Sequence, residues 1–128
     1  MVTSKEKLIL ELKHQFAGLK KDPRILGIIL YGSIVQNQHY IQSDIDICIV
    51  APNQNQYEVY TSVIATINKN GEKYDIRFFE ELPLLIRADV IEKGIILISR
   101  DVGELTEYYF FSTRKELEDF RYRMEHLV

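Results

Sequence analysis

The sequence predicts an α/β (α+β) fold in which a mixed or parallel sheet of four strands is flanked by helices and followed by a helical C-terminal tail. Four short apolar runs are bounded by turn-forming residues, as strands are. Segments with apolar residues at helical intervals alternate with these runs, and such alternation packs helices against a sheet. The chain has 128 residues, so we expect a single domain with its core at about 24–101 and its tail at about 103–128.

The first half of the chain predicts two helices and two strands. Residues 3–20 carry apolar residues at helical intervals behind a capping box of Thr3 and Glu6, and Asp22-Pro23 ends this helix. The runs RILGIILYG and DIDICIV are rich in β-branched residues and suit strands covered on both faces. The segment NQNQYEVYTSVIATINKN predicts a helix that ends at Asn70-Gly71. Its apolar face is expected to consist of Tyr57, Tyr60, Ile64 and Ile67.

The second half adds two strands and two or three helices. KYDIRFF and IILIS are the strands, and between them EELPLLIRADVIEKG has a Pro near its start and a Gly after its end, as helices do. From Gly103 onward the chain is helical again. A second capping box, Thr113 with Glu116, leaves open whether the tail is one helix or two.

The sequence leaves two interpretations for each of two apolar features of the tail: packing in the core of the same chain, or contact with a partner. The aromatic run 108–111 either packs the tail onto the body or forms a partner surface, since four consecutive aromatic residues cannot all face one core from a helix. A stripe at helical spacing is buried either against the same chain or against another subunit, so a homo-oligomer is one of two interpretations. This stripe consists of Leu117, Phe120, Met124 and Leu127.

Composition argues against two classes of partner. The chain has 19 acidic and 16 basic residues, and this net charge of −3 argues against a protein that binds nucleic acid non-specifically through a basic surface. It has neither a signal-peptide pattern nor an apolar run long enough to span a membrane. The single cysteine, Cys48, fits a reducing compartment, and we expect it to be a buried, inert thiol. These observations predict a cytoplasmic protein.

Three aspartates stand at the beginnings of two predicted strands. Asp44 and Asp46 are two residues apart and therefore point to the same face. Asp75 holds the analogous place on the third strand, so the three carboxylates converge if these strands are neighbours. Carboxylates that close repel one another and need a cation between them. Their oxygens suit Mg²⁺, and this layout is typical of two-metal phosphoryl or nucleotidyl transfer.

A Gly-Ser pair at the end of the first strand predicts a phosphate site that faces these acids. Gly32 allows the backbone to turn tightly or to approach a ligand closely. Ser33 is expected to begin a short helix over 33–39, whose free N–H groups would bind phosphate while the hydroxyl adds a donor.

Each of these features also has a plain structural interpretation. A Gly-Ser pair is commonly just a turn, and Ser43 with Asp44 can cap the entry to a strand. Asp75 can be an edge-strand charge or the ion-pair partner of Arg77 or Lys73. The functional hypothesis depends on all the features occurring in order, each at a strand end.

The stretch LYGSIVQNQHYIQSDIDICIV resembles the Gly-Ser-x(10)-Asp-x-Asp motif of the DNA polymerase β-like nucleotidyltransferase superfamily, because ten residues separate Ser33 from Asp44. The chain's size, the third acid in KYDIRFFEELP and the following LLIRADVIEKGIILIS are similar to the minimal nucleotidyltransferase (MNT) group. The resemblance covers about residues 25–101.

This resemblance implies a polymerase β-like nucleotidyltransferase fold and a reaction that transfers AMP from ATP to an acceptor hydroxyl. Gly32, Ser33 and Ser43 would bind the phosphates of the nucleotide. Asp44 and Asp46 would bind Mg²⁺, and Asp75 would complete the metal site and help deprotonate the hydroxyl. Stand-alone MNT proteins are commonly antitoxins of helical HEPN ribonuclease toxins, which they can silence by adenylylating a tyrosine.

The chain departs from the family just after the Gly-Ser pair. Members often carry Arg-x-Arg-Gly there, where this chain has Ile34, Gln36 and Asn37. Charge-assisted phosphate contacts are thereby lost, and His39, Tyr40 or Arg77 would have to replace them. The alternative is a non-catalytic nucleotide-binding antitoxin or regulatory subunit that acts by contact.

Overall fold

A computed structural model describes residues 2–36, 44–67 and 74–127. Four helices and four strands are present in these ranges, together with the short 3-10 helices Ala17–Lys21 and Phe79–Glu81. In chain order they are α1 (Ser4–Phe16), β1 (Gly27–Tyr31), β2 (Ile45–Val50), α2 (Gln56–Thr66), β3 (Tyr74–Phe78), α3 (Leu84–Lys93), β4 (Ile95–Ser99) and α4 (Val102–Glu125). The predicted α/β (α+β) fold class is confirmed, including the helical tail.

The four strands form one mixed sheet in the order β3-β2-β1-β4. β1 pairs antiparallel with both β2 and β4, whereas β2 and β3 are parallel. The parallel pair requires a crossover between β2 and β3, and α2 lies in that connection. The start of β2 and the start of β3 therefore meet at the same end of the sheet.

The sheet is covered on both faces, which explains the continuous apolar runs. Ile47 and Ile49 of β2 pack in a cluster with Phe16 of α1 and Val59 of α2. Side chains of the opposite parity, Cys48 among them, pack in a second cluster with α3 and α4. Five of the six residues of β2 are buried, and Asp46 is the exception. An acid in this strand therefore stands out against a fully apolar background.

The helix starts follow the predicted capping chemistry in one case and contradict it in another. The Thr3 hydroxyl accepts a hydrogen bond from the Glu6 N–H at 3.1 Å, as predicted. The second capping box is wrong, because α4 begins behind Asp101 and runs without a break to Glu125. Thr113 lies in the middle of this helix and is buried, so its backbone already belongs to the helical ladder and needs no cap.

The predicted apolar face of the second helix is half right, since Ile64 packs against the core and Ile67 is buried, whereas Tyr57 and Tyr60 are exposed. The buried residues of α2 are Val59 and Val63, followed by Ile67 just after its end. Tyr57 is 79% exposed and keeps its hydroxyl in water. The helix ends at Thr66, and the expected stop at Asn70-Gly71 lies outside the described residues.

The tail divides its apolar residues between the core and the surface. Tyr109 is buried, whereas Phe110 and Phe111 are 50% and 68% exposed. The packing interpretation is therefore right for Tyr109, and the partner surface at Phe110 and Phe111 stays a prediction. The stripe further along is half-buried at its start and exposed at Met124 and Leu127.

Within the described ranges, no helix combines the length and the apolar character that crossing a membrane requires.

Candidate functional site

Three polar side chains form a row across adjacent strands. Tyr31 of β1 is the register partner of Asp46 of β2, which in turn is the partner of Asp75 of β3. Partners in register share one face of a sheet, here the face that α3 and α4 cover. The expectation that the second and third strands are neighbours is confirmed, so Asp46 and Asp75 lie side by side. Tyr31 was not singled out from the sequence, although strand parity places it in this row.

The backbone at Gly32 lies directly against Asp46. Gly32 has a φ of +83°, and a Cβ at this position would lie 2.2 Å from Oδ2 of Asp46. Glycine is strongly favoured there, because any other residue would have a strained backbone and would push the Asp46 carboxylate aside. The N–H of the next residue, Ser33, donates a hydrogen bond to the Asp46 carboxylate. Gly32, Ser33 and Asp46 are thus brought together as the motif predicted.

The described residues that follow Gly32, residues 33–36, form a turn. The Gln36 N–H donates to the Gly32 carbonyl at 3.2 Å, and residues 33–36 are not helical. The remainder of the predicted helix over 33–39 lies outside the described residues, as do Ser43, His39 and Tyr40. Because the Ser33 N–H is bound to Asp46, a phosphate at this turn would need other N–H groups or the Ser33 hydroxyl.

Two helices hold this turn in place. The ammonium of Lys5, in α1, donates to the Val35 carbonyl at 2.8 Å. The side-chain amide of Gln36 donates to Oδ2 of Asp89, in α3, also at 2.8 Å. These contacts join residues that are 30 and 53 positions apart in the chain, so the sequence carries no local signal for them. They fix the turn before any ligand arrives, which lowers the entropy that binding would lose.

The electrostatics of the row favour a bound cation. Burial raises the pKa of Asp46, and the neighbouring charges of Asp75 and Asp44 raise it further. Arg77 and the Ser33 N–H act against this rise. Burial also raises the pKa of Tyr31, with Cys48, Asp46 and Asp75 contributing in the same direction. The carboxylates therefore repel one another, and a positive ion between them would remove that repulsion.

Among the described residues, Asp75 has one partner of opposite charge, and Lys73, the other candidate, lies outside them. Nε of Arg77 lies 3.2 Å from its Oδ1, and the two side chains are 59% and 35% exposed, respectively. β3 is also an edge strand of the sheet. Both structural interpretations of Asp75, edge charge and ion pair with Arg77, thus hold alongside its place beside Asp46.

The donor set fits a hard divalent ion such as Mg²⁺ in its chemistry. Asp46 and Asp75 offer carboxylate oxygens from neighbouring strands, and Asp44 is close enough for its charge to raise the pKa of Asp46. In the part of the chain that the structure describes, no three His, Cys, Asp or Glu side chains form a group ready to hold a metal. The convergence of all three acids on one ion stays a prediction.

Cys48 lies behind the row and takes no part in it. Its side chain is fully buried, and burial raises the pKa of its thiol, with the charge of Glu80 adding to the effect. A thiol in this environment stays protonated and unreactive, as its place in the apolar strand predicted.

Most of the chain matches the sequence profile of a known protein family. Residues 16–102 match the sequence profile of the family described as Polymerase beta, Nucleotidyltransferase. The chain belongs to the polymerase beta nucleotidyltransferase family. The match spans the whole sheet and contains Gly32, Asp46 and Asp75, so the resemblance seen in the motif is confirmed.

One curated relative of this chain is named "Putative protein adenylyltransferase" and comes from Methanocaldococcus jannaschii. The two are 38% identical over 101 residues, which cover 79% of this chain and 76% of the relative.

Solved structures with the same fold include two toxin-antitoxin complexes. A chain of a toxin-antitoxin crystal structure with AMP-PNP superposes with a TM-score of 0.65 at 18% identity, covering 88% of this chain and 92% of that one. A chain of the complex between a tri-AMPylated Shewanella oneidensis HEPN toxin and its MNT antitoxin gives a TM-score of 0.62 at 16% identity, covering 91% and 92%. At these identities the likeness establishes the nucleotidyltransferase fold alone.

Proposed function

We propose that this protein is a Mg²⁺-dependent nucleotidyltransferase that moves AMP from ATP to a hydroxyl of a partner protein, and that it is the antitoxin of a helical HEPN-type toxin. The observation that carries the proposal is the register of Asp46 with Asp75 on parallel strands, with the Gly32-Ser33 turn against Asp46. Two repelling carboxylates beside a backbone turn form a site for a cation and a phosphate together.

We assign the residues the roles that the family resemblance implies. Asp44 and Asp46 bind Mg²⁺, and Asp75 completes the metal site. Gly32, Ser33 and Ser43 contact the phosphates. When bound, Mg²⁺ supplies positive charge against the phosphate oxygens. The acceptor oxygen forms a bond to the α-phosphorus, and the bond to the β-phosphate oxygen breaks. Pyrophosphate leaves with that electron pair, and Asp75 takes the hydroxyl proton.

The choice of a protein acceptor is supported by the relatives and by the surface of α4. The curated relative carries the name of a protein adenylyltransferase, and one neighbour is an MNT antitoxin with a tri-AMPylated HEPN toxin. Phe110 and Phe111 are exposed on α4, and exposed aromatic side chains are favoured at interfaces. ATP, Mg²⁺ and a reduced Cys48 are all consistent with the cytoplasm, which is the location we propose.

A second candidate function is a non-catalytic antitoxin or regulatory subunit that binds nucleotide and acts by contact. It is favoured by the composition of the described turn, where Ile34 is 4% exposed and Gln36 is bound to Asp89. Neither of these side chains offers a positive charge to phosphate.

A transfer assay separates the two candidates. The protein is incubated with Mg²⁺, the purified product of a neighbouring HEPN-type gene, and ATP labelled either in the α- or in the γ-phosphate. The proposal expects the partner to acquire only the α-label. Asp46→Asn and Asp75→Asn should lower the rate at least ~100-fold, because even the loss of an outer partner of a metal ligand lowers activity or metal affinity 10–100-fold.

The matched control is Glu11→Gln, an exposed acid on α1, which should transfer at the wild-type rate. Transfer of the γ-label would identify a kinase instead. Neutralisation of the toxin by both Asp variants, with no label transferred by the wild type, would establish the contact mechanism.

A further inference from the structure

The phosphate side of the site lacks positive charge where the chain turns. Of the described residues after Ser33, Ile34 is buried and Gln36 is held by Asp89. Lys5 reaches the same turn, but its ammonium binds the Val35 carbonyl. A polyphosphate carries several negative charges, and a backbone turn with one hydroxyl neutralises none of them. The proposed Mg²⁺ would balance part of this charge, and a cationic side chain on another element would balance more of it.

Arg77 of β3 can supply this positive charge, because it lies on the same strand face as the acids. It is two residues beyond Asp75 in β3 and is the register partner of Cys48, so it shares the face of Asp46 and Asp75. Its positive charge reaches the row, since it lowers the pKa of both Asp46 and Tyr31. Its side chain is 59% exposed, so the guanidinium is open to a ligand from solution.

The present contact of Arg77 is weak enough to be exchanged. Only Nε is involved, at 3.2 Å from Asp75, and both side chains are partly exposed. Such pairs contribute about 0.2–1 kcal/mol. Arg87, by contrast, binds both the Leu82 carbonyl and the Glu116 carboxylate, and its side chain is only 11% exposed. Within the described ranges, the side chain of Arg77 makes no hydrogen bond other than the one to Asp75.

We propose that Arg77 binds the polyphosphate of the nucleotide and that it exchanges Asp75 for a phosphate oxygen when a divalent cation occupies the carboxylates. The inference deepens the proposed function and rests on it. A guanidinium can bind two phosphate oxygens at once with its paired N–H groups. Its positive charge replaces the one that the turn lacks.

Equilibrium binding of nucleotides tests this exchange. Arg77→Gln removes the charge, Arg77→Lys keeps it, and binding is measured with the full chain, Mg²⁺ and either AMP or an ATP analogue that cannot be cleaved between the α- and β-phosphates. We expect Arg77→Gln to weaken the analogue about tenfold, the size of one charge-assisted hydrogen bond, and AMP less than about threefold. Arg77→Lys should retain most of the analogue affinity.

Mg²⁺ affinity without nucleotide is a second measurement. If Arg77 had only a structural role, removing it would not be expected to keep or raise this affinity. Arg77→Gln should bind Mg²⁺ at least as tightly as the wild type, because it removes a cation that competes for Asp75. The matched control is Arg114→Gln, since Arg114 is 58% exposed and makes one ion pair, with Glu118, besides its contact with the Phe110 ring. This control should bind both nucleotides and Mg²⁺ as the wild type does.

Two results would overturn the inference and leave the proposed function standing: unchanged analogue affinity in Arg77→Gln, or equal losses for the analogue and AMP. Failure of the wild type to bind any ATP analogue would overturn both proposals together. Thermal unfolding of each variant shows whether it is folded, and the exposure of Arg77 predicts that all of them are.

Discussion

Gly32→Ala is the substitution whose effect follows most directly from the geometry. The new Cβ would lie 2.2 Å from Oδ2 of Asp46, at a residue whose φ is +83°. The left-handed conformation costs an L-residue about 1–2 kcal/mol. The Asp46 carboxylate can rotate away, but it then loses the hydrogen bond from Ser33, and hydrogen bonds to charged groups contribute about 1.5–3 kcal/mol when buried. Since Asp46 is only partly buried, we expect a total loss of about 2–4 kcal/mol.

A double-mutant cycle separates the two contributions. In an Asp46→Ala background the carboxylate is absent, so Gly32→Ala should cost only the conformational part, about 1–2 kcal/mol. The two substitutions should therefore depart from additivity by about 1–2 kcal/mol, whereas independent sites add to within about 0.3–0.5 kcal/mol. The control is Gly18→Ala, because a Cβ at Gly18 would meet nothing within 4 Å.

Urea unfolding followed by circular dichroism measures these free energies, since the chain has no tryptophan. The expected loss corresponds to a fall in Tm of about 8–16 °C for a chain of this size. Gly32→Ala should also abolish Mg²⁺-dependent nucleotide binding, because it displaces Asp46. Two results would refute the reasoning: a loss no larger than that of Gly18→Ala, or the same loss in both Asp46 backgrounds.

Three further predictions concern stability. Asp46→Asn should stabilise the metal-free protein by about 0.5–2 kcal/mol at pH 7, because burial and neighbouring acids raise the pKa of Asp46 and make its charged form unfavourable in the fold. This gain in stability should shrink as the pH falls and vanish below the unfolded pKa of about 3.9. Thermal melts between pH 7 and this pKa measure the gain. A gain that does not change with pH would contradict the prediction. Glu116→Gln should destabilise by about 0.2–1 kcal/mol at pH 7, because Arg87 holds the pKa of this exposed carboxyl below its usual range. The loss should disappear as the pH falls through that lowered pKa, and a loss that persists in acid would show that charge is not the cause. Thr113→Val should stabilise by about 1 kcal/mol in urea unfolding, because the hydroxyl is buried without a hydrogen-bond partner in the described part of the chain; destabilisation would reveal a partner for it.

Strand parity predicted which of the candidate site residues share a face of the sheet. The spacing put Gly32-Ser33, Asp44 with Asp46, and Asp75 each at a strand end, and the acids were expected to converge if the second and third strands were neighbours, which they are. Parity of the same kind puts Arg77 beside them and would have added Tyr31. These inferences succeed because a period of two fixes the face of every residue in a strand.

What could not be predicted depends on contacts between distant elements. Nothing near Gln36 indicates that its amide meets Asp89 of α3, or that Lys5 of α1 reaches Val35. The buried face of α2 was misplaced because two apolar stripes overlap in that helix. Val59 and Val63 are the buried residues of α2, whereas the tyrosines are exposed. The phase of an amphipathic helix is set by what it packs against, and a local pattern does not contain that information.

A crystal structure with Mn²⁺ and an ATP analogue that resists α–β cleavage tests the proposed site most directly, because anomalous scattering locates the metal independently of the protein atoms. We predict a metal within about 2.2 Å of carboxylate oxygens from Asp46 and at least one of Asp44 and Asp75, with the triphosphate between it and the Gly32-Ser33 turn. Bound nucleotide with the metal elsewhere, and with these carboxylates free of any ion, would contradict the account.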